Sequence, residues 1–115
     1  MESILKTIKK QLGMSESSTA FDTDAIININ TTFMILTQMG VGPAEGFTIK
    51  DDYALWTDFI SEDSVKFEGV KTYVYLKAKM VFDPPSSSVV MQAMKDSIAE
   101  LEWRLNFAAE NKVKA

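Results

Sequence analysis

Histidine and cysteine are both absent from this 115-residue chain. That removes the commonest general base, the commonest neutral metal ligand and every thiolate. Ser-His-Asp triads, Cys-His pairs and zinc sites therefore cannot be assembled within one copy. Disulfides are excluded too, and cysteine usage leaves the redox compartment open. No apolar run approaches the roughly 20 residues that a membrane span needs. The start, Met1-Glu2-Ser3-Ile4-Leu5-Lys6, lacks the charged-then-apolar layout of a signal peptide. Synthesis in the cytoplasm and no membrane partner are the expectations. Basic residues are outnumbered, 12 Lys and Arg against 16 Asp and Glu for a net charge of −4. Such a balance argues against a general nucleic-acid binder, whose affinity comes mainly from neutralising phosphates.

Of only three prolines, two are adjacent, in Val81-Phe82-Asp83-Pro84-Pro85-Ser86-Ser87-Ser88-Val89-Val90. Proline disfavours helix for the residue before it and donates no mid-helix hydrogen bond. This stretch ends one helix and, through its serines, offers acceptors to the free N–H groups of the next. The 46% apolar share fits one domain over residues 1–115 with a real core. Residues 111–115 are polar and read as a flexible tail.

Hydrophobic spacing gives the elements. Ile4, Leu5, Ile8 and Leu12 share one helical side, stopped by Gly13. Lys6, Lys9 and Lys10 of this helix could meet phosphate or an acidic protein, but the commoner case is a solvated helix face. A serine-rich linker follows, and Asp22 or Thr23 is the candidate N-cap of a second helix. From Asp24 to Met39, Ile26, Ile29, Phe33 and Leu36 form a stripe, Ile27 and Met34 a smaller apolar patch, and Gly40 the stop. A turn-rich segment leads to Thr48-Ile49, expected extended, and then to a short helix or pair of turns over Asp51–Ile60. Ser64 to Phe82 reads as a long helix with Phe67, Val70, Val74, Ala78 and Val81 inward, widened by Tyr73 and Met80. Its opposite side carries Glu68, Thr72, Tyr75 and Lys79. After the corner, Val90, Met94, Ile98, Leu101, Leu105 and Ala108 continue the pattern. The architecture is all-α, a compact bundle of four or five helices whose two long C-terminal members meet at the Pro-Pro corner.

Little in the chain suggests catalysis. Asp22 and Asp24 are placed to bind a hard cation, but acidic residues also favour a helix start electrostatically, and capping is the commoner case. Glu100 and Glu102 are too close in sequence to share a helix face. Gly40-Val41-Gly42-Pro43 lacks the further glycine and the Lys-Ser/Thr ending of a phosphate loop. No catalytic, cofactor or metal residue is assigned, and the chain reads as a non-enzyme.

One pattern exceeds the needs of a core. Ala99, Trp103 and Phe107 follow each other at i, i+4 and i+8, roughly opposite the Met94–Ile98–Leu101–Leu105 stripe. Two apolar faces on one helix mean burial on both sides. Either another helix of the chain, the first being the natural candidate, covers Trp103 and Phe107, or a neighbouring subunit does. Lys71, Tyr75 and Lys79 on the preceding helix form a second candidate interface, for an acidic partner, against the plainer reading of a solvated face.

Several segments, in order, resemble one family. They are Phe21-Asp22-Thr23-Asp24 with Ile26-Ile27-Asn28-Ile29-Asn30, Leu36-Thr37-Gln38-Met39-Gly40-Val41-Gly42-Pro43, Val70-Lys71-Thr72-Tyr73-Val74-Tyr75-Leu76-Lys77, Phe82-Asp83-Pro84-Pro85-Ser86-Ser87 and Glu100-Leu101-Glu102-Trp103-Arg104-Leu105-Asn106. Together they resemble the small head–tail connector (adaptor) proteins of tailed bacteriophages and prophages, over nearly the whole chain. The resemblance implies a small helical protein that assembles with itself, typically as a dodecameric ring, beneath the portal of a filled capsid. It implies the portal and the next connector, or stopper, as partners, DNA only in transit through the channel, and no cofactor. The location implied is the virion's head–tail interface after synthesis in the bacterial host cytoplasm. The serine-rich linker and polar C-terminus suggest a free protein that is monomeric and orders its termini on assembly. A DNA-binding regulator of helix-turn-helix type is the alternative, weakened by the lack of a basic recognition helix.

Overall fold

The structure, a computed structural model, describes the backbone of residues 2–15 and 17–114 and the side chains of that span as far as residue 107. Among these residues the chain is all helical: α1 (Ile4–Gln11), α2 (Asp22–Gln38), α3 (Trp56–Phe59), α4 (Phe67–Phe82) and α5 (Ser88–Lys114). The one β feature among them is an isolated bridge between Ser3 and Leu55. The flexible tail expected at 111–115, and Ala108 in the last stripe, fall on side chains outside the described set.

Glycine ends the first two helices as their sequence suggests. Gly13 and Gly40 adopt positive φ (80° and 84°), a conformation that costs glycine nothing. The following N–H groups turn back, Met14 onto Lys9 O at 2.8 Å and Val41 onto Leu36 O at 2.9 Å. Both ends are thus Schellman caps that satisfy carbonyls a helix leaves free. Val41, one residue past its glycine, is fully buried.

Beside α2 the core is aromatic. The Phe33 ring lies 4.5 Å from Phe59, 5.2 Å from Phe47 and 6.4 Å from Trp56. A Cβ at Gly42 would sit 2.4 Å from the Phe59 ring, so only glycine lets the 41–47 segment close over it. Asn30 fixes the far end of that segment. Its amide donates to Ile49 O at 2.9 Å, and its Oδ1 accepts from Ile49 N–H at 2.7 Å. Thr48-Ile49, expected extended, forms no strand. Its backbone groups go to a side chain instead, which leaves Ile49 buried.

Charge fixes α1 to α2, and two expectations are corrected here. Lys9 is not on a solvated face: it is 4% exposed. Its Nζ lies 2.8 Å from Asp22 Oδ1 and donates to Ser18 O, tying down the serine-rich linker. Asp22 and Thr23 are not the N-cap of α2; Phe21 holds that position, without a side-chain cap bond. The Asp22 carboxylate serves the lysine and still sits in the first turn, where the helix dipole favours it.

The long helices also differ in detail. Helix α4 begins at Phe67 rather than Ser64, because 64–66 are used in turns. Val70, Tyr73, Val74 and Ala78 are its buried residues. Val81, expected inward, is 60% exposed although it lies within the helix, on the edge of a hollow beside α2. Tyr75, expected on the solvent side, is half-buried against the core. Ser87 opens α5, accepting from Met91 N–H through its carbonyl at 2.9 Å and from Val90 N–H through its hydroxyl at 3.4 Å. Val90, expected to start the inward stripe, is half exposed, and Leu105 is the only fully buried α5 residue among those described.

A hydrogen bond then sets the course of α5 over α4: buried Tyr73 donates through its hydroxyl to Glu102 Oε2 at 2.6 Å. Burial first, and then this bond, raise the phenol above the usual tyrosine range. In the unfolded chain the proton is lost near about pH 10. The stabilisation is therefore complete below that pH and is lost as pH rises from there toward the folded value. Tyr73→Phe is expected to cost about 1.5 kcal/mol at pH 7. In urea titrations the gap between variant and wild type should narrow above about pH 10; a constant gap would contradict the assignment.

Candidate interaction surface

At 27 residues, α5 is about 40 Å long, and its distal half packs on α4. Gly69 of α4 faces this contact: a Cβ there would stand 3.4 Å from Leu105 Cδ2 and 4.0 Å from Leu101 Cδ2, ordinary van der Waals distances. Leu105, Leu101 and Ile98 face the core from α5. With Tyr73 and Glu102 they settle which side of the helix faces out.

Trp103 and Phe107 are on the outward side. Their rings stack with centroids 5.3 Å apart and planes 14° from parallel. Trp103 is 64% and Phe107 50% exposed, and Ala99 one turn earlier is exposed as well. The expectation that another helix of the chain covers this face is corrected. Helix α1 packs instead on α2 and α4 and is pinned to the 52–56 loop, where Ile4 N–H donates to Ala54 O at 3.0 Å and Ser3 Oγ to Asp52 O at 2.7 Å.

The second candidate set is separate from the first. Lys71 and Lys79 lie two helical turns apart on α4, and each already has a carboxylate within this chain. Lys71 Nζ sits 2.7 Å from Glu2 Oε1, 3.8 Å from Glu68 Oε2 and 5.2 Å from the centre of the Phe67 ring. The hydrogen bond raises Lys71 and lowers Glu2 relative to their ordinary values. Lys79 Nζ lies 2.9 Å from Asp83 Oδ2, which raises it too. Tyr75 between them packs partly on the core. Nothing brings Lys71, Tyr75 and Lys79 into one patch with Trp103 and Phe107.

A groove between α2, the end of α4 and the first half of α5 went unnoticed in the sequence. It comprises two adjoining hollows of about 360 and 530 Å³ that share Asn28, Thr31 and Val81. Ile27, Phe21 and Val81 expose apolar surface there. The sequence carried one sign of it, the small second patch that includes Ile27; Val81 was hidden within the core stripe.

Glu100 is held by Arg104 at 2.8 Å and Glu102 by Tyr73, so neither is paired as an acid with a base. No group of three or more potential metal ligands occurs among the described residues. No helix among them is long and apolar enough to cross a membrane.

Comparison with known proteins agrees with this picture. A family described as phage connector protein matches residues 4–112. The chain belongs to the phage connector family. Its role is that of a structural connector rather than an enzyme. A different likeness is to an enoyl-[acyl-carrier-protein] reductase [NADH] of Pseudomonas fluorescens, 30% identical over 95 residues. The connector aligns there over 81% of its own length but spans only 24% of that enzyme. A dinucleotide site of the βαβ kind needs parallel strands, and among its described residues the connector has only the Ser3–Leu55 bridge. No solved structure matches the chain.

Because the aromatic face of α5 has no cover among the described residues, Trp103→Ser is expected to change the stability of the isolated chain by no more than about 0.5 kcal/mol. Thermal unfolding by circular dichroism checks this, and a loss of several kcal/mol would restore Trp103 to the core.

Proposed function

We propose that this connector is a head–tail adaptor that assembles as a ring, of twelve copies by the family resemblance, beneath the phage portal. The ring joins the DNA-filled head to the next connector, the stopper, and so to the tail. DNA meets it only in transit. Its place is the head–tail interface of the virion, after synthesis in the cytoplasm of the bacterial host. The observation that carries this reading is the family match across residues 4–112 in a chain whose C-terminal helix presents an uncovered Trp103–Phe107 stack. Exposed aromatics of this kind serve as interface anchors. Burying helix faces between copies and against the portal is the whole mechanism, with no covalent step. The negative balance of the chain suits a channel through which DNA slides without sticking.

A helix-turn-helix regulator is less well supported. Lys71 and Lys79, the basic residues on the outer side of α4, are already engaged by Glu2 and Asp83. Co-expression with the portal encoded beside this chain, followed by affinity purification and electron microscopy, tests the adaptor reading. A ring seated on the portal is expected; a monomer that ignores the portal would defeat it.

A further inference from the structure

The groove and the aromatic stack lie on different sides of the same helix. Ile98 lines the groove, Trp103 carries the stack, and the step of five residues from one to the other turns the helix by about 140°. A surface and its complement that far apart do not meet within one copy. They join copies head to tail, in a series that closes as a ring when the rotation allows.

Their chemistry is complementary. Lys77 and Lys95 line the groove, and neither makes an ion pair among the described residues; Asp24 lies at its far end. Asp96 and Glu100, both exposed, flank Trp103 on the outward face of α5, Glu100 sharing Arg104. The groove also holds an acceptor without a donor, the buried Oδ1 of Asn28. Trp103 brings an exposed indole N–H, which pairs with that oxygen once the Asn28 amide turns to meet it. The exposed apolar side chains of Ile27 and Val81 give the rings something to lie on.

From this we propose that the α2–α4–α5 groove of one copy receives the Trp103–Phe107 face of a second copy, and that this contact is the one repeated around the ring. The proposal rests on the adaptor reading and specifies its subunit contact.

The cysteine-free sequence makes a clean test possible. Thr31→Cys puts a thiol at the middle of the groove, and Ala99→Cys puts one beside Trp103, leaving both aromatic rings in place. The two variants are mixed at high concentration, alone and on purified portal, and treated with a short bismaleimide. The mixed Thr31→Cys/Ala99→Cys product is expected to dominate over both homodimers, and Trp103→Ser added to the Ala99→Cys chain should lower its yield about tenfold or more. Rings that form without the mixed product overturn the proposed contact and leave the adaptor reading standing. Cross-linking of the Ala99 position to the portal instead gives this face to the portal and likewise overturns the contact. Chains that neither self-associate nor bind the portal overturn both.

Discussion

Everything that distinguishes this molecule on its surface depends on how α5 is held. Among the described residues the helix has little grip on the core: the fully buried Leu105, Leu101 and Ile98 packed partly buried against it, and the hydrogen bond from Tyr73 to Glu102. A hydrogen bond to a carboxylate is worth more than a neutral one, and here the donor is itself buried, so that losing it strands a polar group. Upstream, Pro84 and Pro85 prevent α4 from continuing and make the chain start afresh at Ser87. The corner and the bond together determine that Trp103 and Phe107 point outward.

That arrangement has an energetic logic for assembly. Burying the exposed parts of an indole and a phenyl ring removes on the order of 200 Å² of apolar surface from water, or about 5 kcal/mol. Loss of translational and rotational freedom on association costs at least a similar amount. One such contact holds two copies together poorly, which fits the proposal that the free chain is monomeric and assembles only on its portal. In a closed ring each copy makes two, and a portal surface beneath adds more. On the adaptor proposal, weak pairwise contacts and a portal template would give assembly at the right place rather than free rings.

Much of this was legible in the sequence, because the relevant signals are local. Gly13 and Gly40 end their helices as expected, and the Pro84-Pro85 pair separates α4 from α5. The apolar spacing at Ala99, Trp103 and Phe107 already marks a second face on the last helix. What the sequence hid is whatever depends on partners distant in the chain. Lys9 looked solvated because nothing near it shows that Asp22 will be folded against it. Asp22 looked like a cap for the same reason. Val81 satisfied the helical stripe but stands on the edge of a hollow beside α2. The groove is made by α2, α4 and α5 together, so no single segment could announce it; only the odd apolar patch at Ile27 pointed that way.

The central claim is that the outward aromatic face of α5 is covered on assembly, and the chain's two tryptophans report on it directly. Trp56 is 1% exposed and Trp103 64% exposed. Acrylamide quenching of the free chain should show two populations, one shielded and one open. In the connector assembled on its portal, the open population should disappear. If Trp103 remains as quenchable in the assembly as in the free chain, this face of α5 is not an assembly surface.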